Sequence, residues 1–154
     1  MIALPDKLSD LVELALNDLT QVQAQPDKYI INMNTWVSSG TRKAPRCQVC
    51  LAGAVMVRSL DVQADIDSDV ILTLTPTDIR PPDMSAEEIS ILRSKLMALD
   101  HVRRGDISVA LDYMGLKTPD TLASYMAVPP FGIGPNKWFR RMHEIIAELR
   151  LHNL

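Results

Sequence analysis

The chain has 154 residues, of which 47% are hydrophobic and 23% charged, and its 19 acidic and 16 basic side chains leave a formal net charge of −3. This composition is typical of an ordinary globular protein and excludes the disordered and fibrous classes. A slightly acidic chain is also poorly suited to non-specific binding of nucleic acid. We therefore expect a single compact domain over residues 1–154, which can bury about 70% of the surface that the unfolded chain exposes.

Several sequence features bear on compartment and cofactors. The longest strongly apolar run, residues 51–57, is far shorter than the ~20 residues of a membrane-spanning helix. The N-terminal segment MIALPDKLSD lacks the basic and apolar regions of a secretory signal. Phosphate-binding loops, dinucleotide fingerprints and comparable motifs do not occur in the sequence. These features predict a cytoplasmic protein with no membrane segment and no cofactor.

The first half of the chain contains helix and strand signals in turn. Apolar residues recur at helical spacing over residues 4–22, with Pro5 in the first turn. Residues 29–33 are β-prone and lead into a Ser/Gly/Pro-rich stretch, residues 34–46, which we expect to be an exposed loop. Residues 47–60 are apolar nearly all round, which is typical of a buried helix.

The second half opens with the strongest strand signal. The segment DVILTLT, residues 69–75, is β-branched and ends before Pro76, so it predicts a strand that pairs with residues 29–33. A helix then begins at Ser85, whose side chain forms a predicted capping box with Glu88. A short helix capped by Asp106 follows through Met114 and ends at Gly115, and another begins at Thr118-Pro119 and stops before residue 128.

The last predicted helix, residues 136–151, has one apolar face. Its members are Trp138, Met142, Ile145, Ile146 and Leu149. Taken together, the elements predict a predominantly α-helical α+β fold with about five to six helices and a small sheet of two or three strands.

The C-x-x-C spacing of Cys47 and Cys50 has several chemical interpretations. A zinc site needs about four ligands, and His101, His143 and His152 lack the paired spacing that would complete one, so we predict no metal. A redox motif should follow a buried strand, which the polar stretch before Cys47 does not predict. If Cys47 instead begins a helix, the helix dipole and the adjacent basic residues favour its thiolate. A cysteine-dependent hydrolase or transferase, with His101 or His143 as the base, therefore stays open.

A structural interpretation of the same motif is simpler. Cys50 can be a small buried hydrophobic residue, and the small residues at 52–54 can let a neighbouring helix approach closely. This interpretation needs no catalysis.

Two segments are candidate contact surfaces for a partner protein. In residues 128–138, VPPFGIGPNKW, the prolines would hold Phe131 outward, in the same segment as Trp138, at low entropic cost. The alternative is that Phe131 packs on Trp138 and closes the core. The other segment, residues 34–46, offers Trp36, Arg42, Lys43 and Arg46.

Residues 106–127 also resemble a helix-turn-helix, because two short predicted helices flank a glycine-containing turn. Its second helix, residues 119–127, offers Asp120, Thr121, Ser124 and Tyr125 where base-reading helices present arginine, lysine, asparagine or glutamine. A DNA-binding regulator is therefore an alternative, with nucleic acid the less favoured partner.

The segments NMNTWVSSG, CQVCLAGAVMVRSL and LMALDHVRRGDISVAL resemble a family of small proteins encoded by bacteriophages and prophages, over residues 29–60 and 85–112. The matching residues are Trp36, Cys47, Cys50, Leu51, Ala52, Gly53, Ala54, Leu99, Arg104 and Gly105. Val37 replaces the usual histidine of that family, so the resemblance supports no Cys–His pair. It implies a context, the cytoplasm of a bacterial host, and no activity. We therefore expect an accessory protein that binds a host or phage protein without catalysis, with a homodimer left open.

Overall fold

The computed structural model describes residues 3–63 and 70–154, and in these ranges the chain forms five α-helices, a short 3-10 helix and four strands. The helices are α1 Leu8–Gln23, α2 Leu51–Arg58, α3 Ala86–Arg103, α4 Ile107–Tyr113 and α5 Pro135–Leu151. The strands are β1 Tyr29–Ile31, β2 Val37–Ser38, β3 Cys47–Val49 and β4 Thr73–Leu74. The predicted, mainly helical α+β class is confirmed, but the sheet has four strands and not two or three.

The four strands form one mixed sheet in the order β1-β3-β2-β4. β1 and β3 run parallel, whereas β2 is antiparallel to both β3 and β4. The predicted pairing of residues 29–33 with residues 69–75 is wrong, because these two segments supply opposite edges of the sheet. Residue 69 lies outside the described residues, and residues 70–72 precede β4 without belonging to it.

The register gives the sheet two chemically different faces. Aligned positions on all four strands form an apolar row that faces the core: Ile31, Val49, Val37 and Leu74. The neighbouring row on the other face includes Gln48, Ser38 and Thr73. On that face the side-chain amide of Asn32 donates a hydrogen bond to the side-chain oxygen of Gln48 at 2.7 Å, and the hydroxyl oxygens of Thr35 and Ser38 are 2.7 Å apart. Helices therefore pack on one face, and a hydrogen-bonded polar network covers the other.

The junction between β3 and α2 explains the small residues of the C-x-x-C segment. Cys50 is the N-cap of α2, and its backbone N–H donates to the Trp36 carbonyl oxygen at 3.2 Å. A Cβ added at Gly53 would lie 1.8 Å from the same oxygen, so only glycine fits there. The predicted helix over residues 47–60 is wrong in its first four residues, because residues 47–49 pair with both β1 and β2 and Cys50 is the N-cap of α2.

Long helices make most of the core. α1 packs against α2 and α5, and α3 packs against α2 and α4. The capping box at Ser85 is confirmed, with hydrogen bonds of 3.2 and 3.1 Å between Ser85 and Glu88. α1 begins at Leu8 and not at residue 4: its N-cap, Lys7, has an extended backbone, and the Leu4 carbonyl accepts a hydrogen bond from the Lys95 ammonium at 2.8 Å. Within residues 3–63 and 70–154, no helix is both long and apolar enough to cross a membrane.

The chain from residue 116 to residue 134 contains no helix, so the predicted helix at Thr118-Pro119 is wrong. This segment instead runs back to α4, where the Ser124 carbonyl accepts hydrogen bonds from the first two amides of that helix at 3.0 and 3.2 Å. The Met126 amide bonds to the Gly105 carbonyl at 2.8 Å. Because their second half is not helical and caps α4 with its backbone, residues 106–127 do not form the predicted helix-turn-helix.

Candidate functional site

Cys47 lies in β3, four residues before α2 begins, so the predicted position in the first turn of a helix is wrong. Side chains two residues apart in a strand share a face, so Cys47 is directed to the same side as the buried Val49. There the half-buried thiol borders a cleft of about 400 Å³. Other lining residues include Lys28, Tyr29, Val57, Arg58 and Asp61.

The environment of Cys47 opposes nucleophilic catalysis. Burial raises the pKa of its thiol to about 11, because surroundings of low polarity stabilise the thiolate less than water does. At neutral pH the group is a protonated thiol, whereas a catalytic cysteine requires a lowered pKa. Among the described residues that line the cleft, none is a histidine.

The two histidines proposed as bases lie in other settings. The His101 ring stacks on Tyr113 with centroids 5.3 Å apart, and its Nδ1 is 3.7 Å from the Asp106 carboxylate. His143 is an exposed residue of α5. Neither lines the cleft beside Cys47, so the described residues do not assemble the predicted Cys–His pair.

Cys50 has a structural role. Only 1% of its surface is exposed, and its sulfur accepts a hydrogen bond from the Gly53 amide at 3.3 Å. Burial raises the pKa of this thiol as well. The interpretation of Cys50 as a small buried residue is thus confirmed. In the part of the chain that the structure describes, no group of three or more histidine, cysteine, aspartate or glutamate side chains is arranged to hold a metal ion.

The basic segment before Cys47 is a closed turn. The Thr41 amide bonds to the Ala44 carbonyl at 2.9 Å, and the Ala44 amide bonds to the Thr41 hydroxyl at 3.1 Å. Arg46 is occupied by the Pro26 carbonyl at 3.1 Å, while Lys43 is exposed. Of the other two candidate contact residues in residues 34–46, Arg42 is exposed and Trp36 is half-buried against the core.

Residues 128–135, here called the tip loop, are held by aromatic packing. The Phe131 ring makes edge contacts with Trp138 and Phe139, at centroid distances of 5.3 and 6.2 Å. Phe131 therefore packs on Trp138, which was the alternative interpretation, and it anchors the loop from inside. Trp138 is only 1% exposed, so its predicted contact with a partner is wrong.

The residue that the tip loop presents is Ile133, which is 88% exposed. We did not predict it, although its place between Gly132 and Gly134 in a proline-flanked loop is the signal that identifies a projecting side chain. The Lys137 side chain lies near Gly134, 3.6 Å from where a Cβ would be. The aliphatic part of the Lys137 side chain thus lies beside Gly134, the residue that follows Ile133.

The base of the tip loop is fixed to α5. The Arg141 guanidinium donates to the Ala127 carbonyl and to Glu144, both at 2.8 Å. The loop therefore has a tie at residue 127, an aromatic anchor at Phe131 and the start of α5 at Pro135. Because the loop is already held in one conformation, the entropic cost of ordering it when a partner binds Ile133 is lower.

Comparisons with known proteins give no relative: no family model, curated protein or solved structure matches the chain.

Proposed function

We propose that the protein is a phage-type accessory protein that binds a host or phage protein in the bacterial cytoplasm and acts by occupancy, without catalysis. The observation that carries this proposal is the anchored tip loop with Ile133 exposed at its end. The resemblance of residues 29–60 and 85–112 to phage and prophage proteins supports the biological context. The protonated state of Cys47 and its separation from both histidines argue against the cysteine enzyme.

The tip loop suggests the chemistry of the partner. Full burial of an isoleucine side chain contributes about 1.5–3 kcal/mol, and rigid presentation spares part of the usual ordering cost. Lys137, whose side chain lies against Gly134, supplies a positive charge close to the tip. The expected partner surface is an apolar pocket with an acidic rim. Residues 34–46, with Lys43 exposed, remain a second predicted contact.

Photo-crosslinking tests the proposal. A photoreactive side chain replaces Ile133 in one variant and Leu151 in a matched control, because Leu151 is 79% exposed but lies at the far end of α5. In lysate of the bacterium that carries the gene, we expect a discrete protein adduct from position 133 only. Adding Lys137→Glu should weaken it, and adding Cys47→Ala should not. Equal adduct patterns from positions 133 and 151, or loss of the adduct with Cys47→Ala, would refute the proposal.

A further inference from the structure

The outer strand β4 has backbone groups directed away from the sheet. β4 follows β2 at the end of the strand order, with Ser38 opposite Thr73. The Ser39 amide bonds to the Leu72 carbonyl at 2.8 Å, and the Leu72 amide bonds to the Ser39 hydroxyl at 2.8 Å. Backbone groups in an antiparallel strand alternate sides, so the N–H and C=O of Thr73 point to the outer edge.

The segment that leads into this edge is unusually apolar. Val70, Ile71 and Leu72 are 66%, 56% and 49% exposed, and no charged residue occurs over residues 70–76. Edge strands are commonly protected by lysine, by inward-pointing charges or by bulges. Pro76 closes the segment, and the described residues before it, 70–75, carry neither lysine nor any other charged side chain.

We propose that two copies of this chain pair antiparallel through β4, around a two-fold axis at Thr73, and form one continuous eight-stranded sheet. In this register each Thr73 amide donates to the carbonyl of Thr73 of the partner subunit. Leu72 then lies opposite Leu74 of the partner subunit in a non-hydrogen-bonded pair, where side chains approach most closely.

A second copy fits this edge because the edge is self-complementary. A two-fold axis brings the same patch together from both subunits, as isologous interfaces require. The absence of charge over residues 70–76 means that the two strands bring no like charges together. The alternative occupant is an extended segment of a different protein, which the experiment distinguishes.

The expected association is weak. About five residues from each subunit take part, and the hydrogen bonding of Thr75 to Asp78 limits further extension. Such a contact buries less than the ~1,200 Å² at which stable protein complexes begin. The dimer should therefore appear at high micromolar concentration and dissociate at low micromolar concentration.

Sedimentation equilibrium and amide exchange together test the proposal. The average mass should rise with concentration from 17.2 kDa towards twice that value, and the Thr73 amide should become protected in parallel. Thr73→Pro removes the outward N–H while leaving the β2 pairing intact, so it should abolish the mass increase. Ile71→Lys, which leaves the backbone unchanged, should do the same, whereas the control Ile133→Lys should not.

Three results would overturn the proposal. The first is an average mass of 17.2 kDa at every concentration, which would leave the edge for a strand of a different protein. The others are a dimer in which the Thr73 amide exchanges freely, and dimerisation of Thr73→Pro and Ile71→Lys as strong as that of the wild type. Because Ile133 lies outside this contact, the dimer and the proposed partner binding succeed or fail separately.

Discussion

Replacing Gly53 with alanine tests whether the close contact of α2 with the Trp36 backbone contributes to the stability of the fold. The new Cβ would lie 1.8 Å from the Trp36 carbonyl oxygen, 2.9 Å from the Trp36 carbonyl carbon and 3.2 Å from the Val49 Cβ. Ordinary contact begins near 3.4 Å, so α2 and the chain at Trp36 must separate by about 1.6 Å. Both close atoms belong to the backbone, and a rotamer change therefore cannot relieve the overlap.

The cost follows from two losses and one gain. Overpacking of this kind costs about 1–3 kcal/mol, and stretching the Cys50–Trp36 hydrogen bond costs about 1 kcal/mol more. Alanine in a helix returns about 1 kcal/mol relative to glycine. We therefore expect Gly53→Ala to lower the free energy of unfolding by about 2 kcal/mol, which moves the urea midpoint down by about 1 M.

Urea denaturation followed by circular dichroism measures this change. Gly132→Ala is the matched control, because an added Cβ there meets no atom within 4 Å, and its effect should stay within about 0.5 kcal/mol. If Gly53→Ala and Gly132→Ala unfold at the same urea concentration, the close contact of α2 with Trp36 is not a structural constraint and the account of the small residues at 52–54 fails.

Three further predictions concern buried and capping groups. Cys47, with a pKa of about 11 against the ordinary 9.0, should react with iodoacetamide at pH 8 about a hundredfold more slowly in the native than in the unfolded chain, and equal rates would contradict its burial. Burial also raises the pKa of Asp18, whose carboxylate accepts a hydrogen bond from the Ser59 hydroxyl. The stability that this shift contributes is fully present below the pKa of Asp18 in the unfolded chain and is lost as the pH rises through its pKa in the folded chain. Asp18→Asn keeps a hydrogen-bond acceptor but has no charge to bury, so its free energy of unfolding, measured by urea titration, should increase relative to that of the wild type between acidic and neutral pH. A difference between the two proteins that does not change with pH would argue against this. Ser85→Ala should lower the free energy of unfolding by about 1 kcal/mol in the same assay, whereas Ser90→Ala, at an exposed position of α3, should leave it almost unchanged. Equal effects of the two substitutions would show that the capping box does not contribute to stability.

The elements that could be predicted from the sequence are those with local signals. α3 was predicted from its capping box, and α5 from an apolar face whose five predicted members are all buried. Such signals are contained within one or two helical turns, so they do not depend on the rest of the chain. The first strand was also located, since residues 29–31 are β-prone and form β1.

The elements that could not be predicted depend on distant partners. β2 has two residues and β3 has three, and each exists because the other strands of the sheet satisfy its backbone. The apolar segment 70–72 has the composition of a strand but only Thr73–Leu74 finds a partner in β2. Likewise, residues 119–127 have a plausible helix start at Thr118-Pro119, yet hydrogen bonding to the N-terminus of α4 favours an extended path.

The interpretation of the C-x-x-C motif shows why such errors change the functional conclusion. A helix over residues 47–60 would have placed Cys47 in the first turn, where the helix dipole favours a thiolate, and Cys50 one turn further on in the core. A strand-to-helix junction between them separates the two side chains: Cys47 borders a cleft from β3, and Cys50 caps α2 in the core. Before Cys47, Thr41 and Ala44 close a turn and Arg46 binds the Pro26 carbonyl, and Cys47 lies in a strand and not in the first turn of a helix, where the helix dipole would lower the pKa of its thiol. The spacing thus reflects the packing of α2 on the sheet, and the two surfaces that we propose for binding, the tip loop and the outer edge of β4, lie away from this motif.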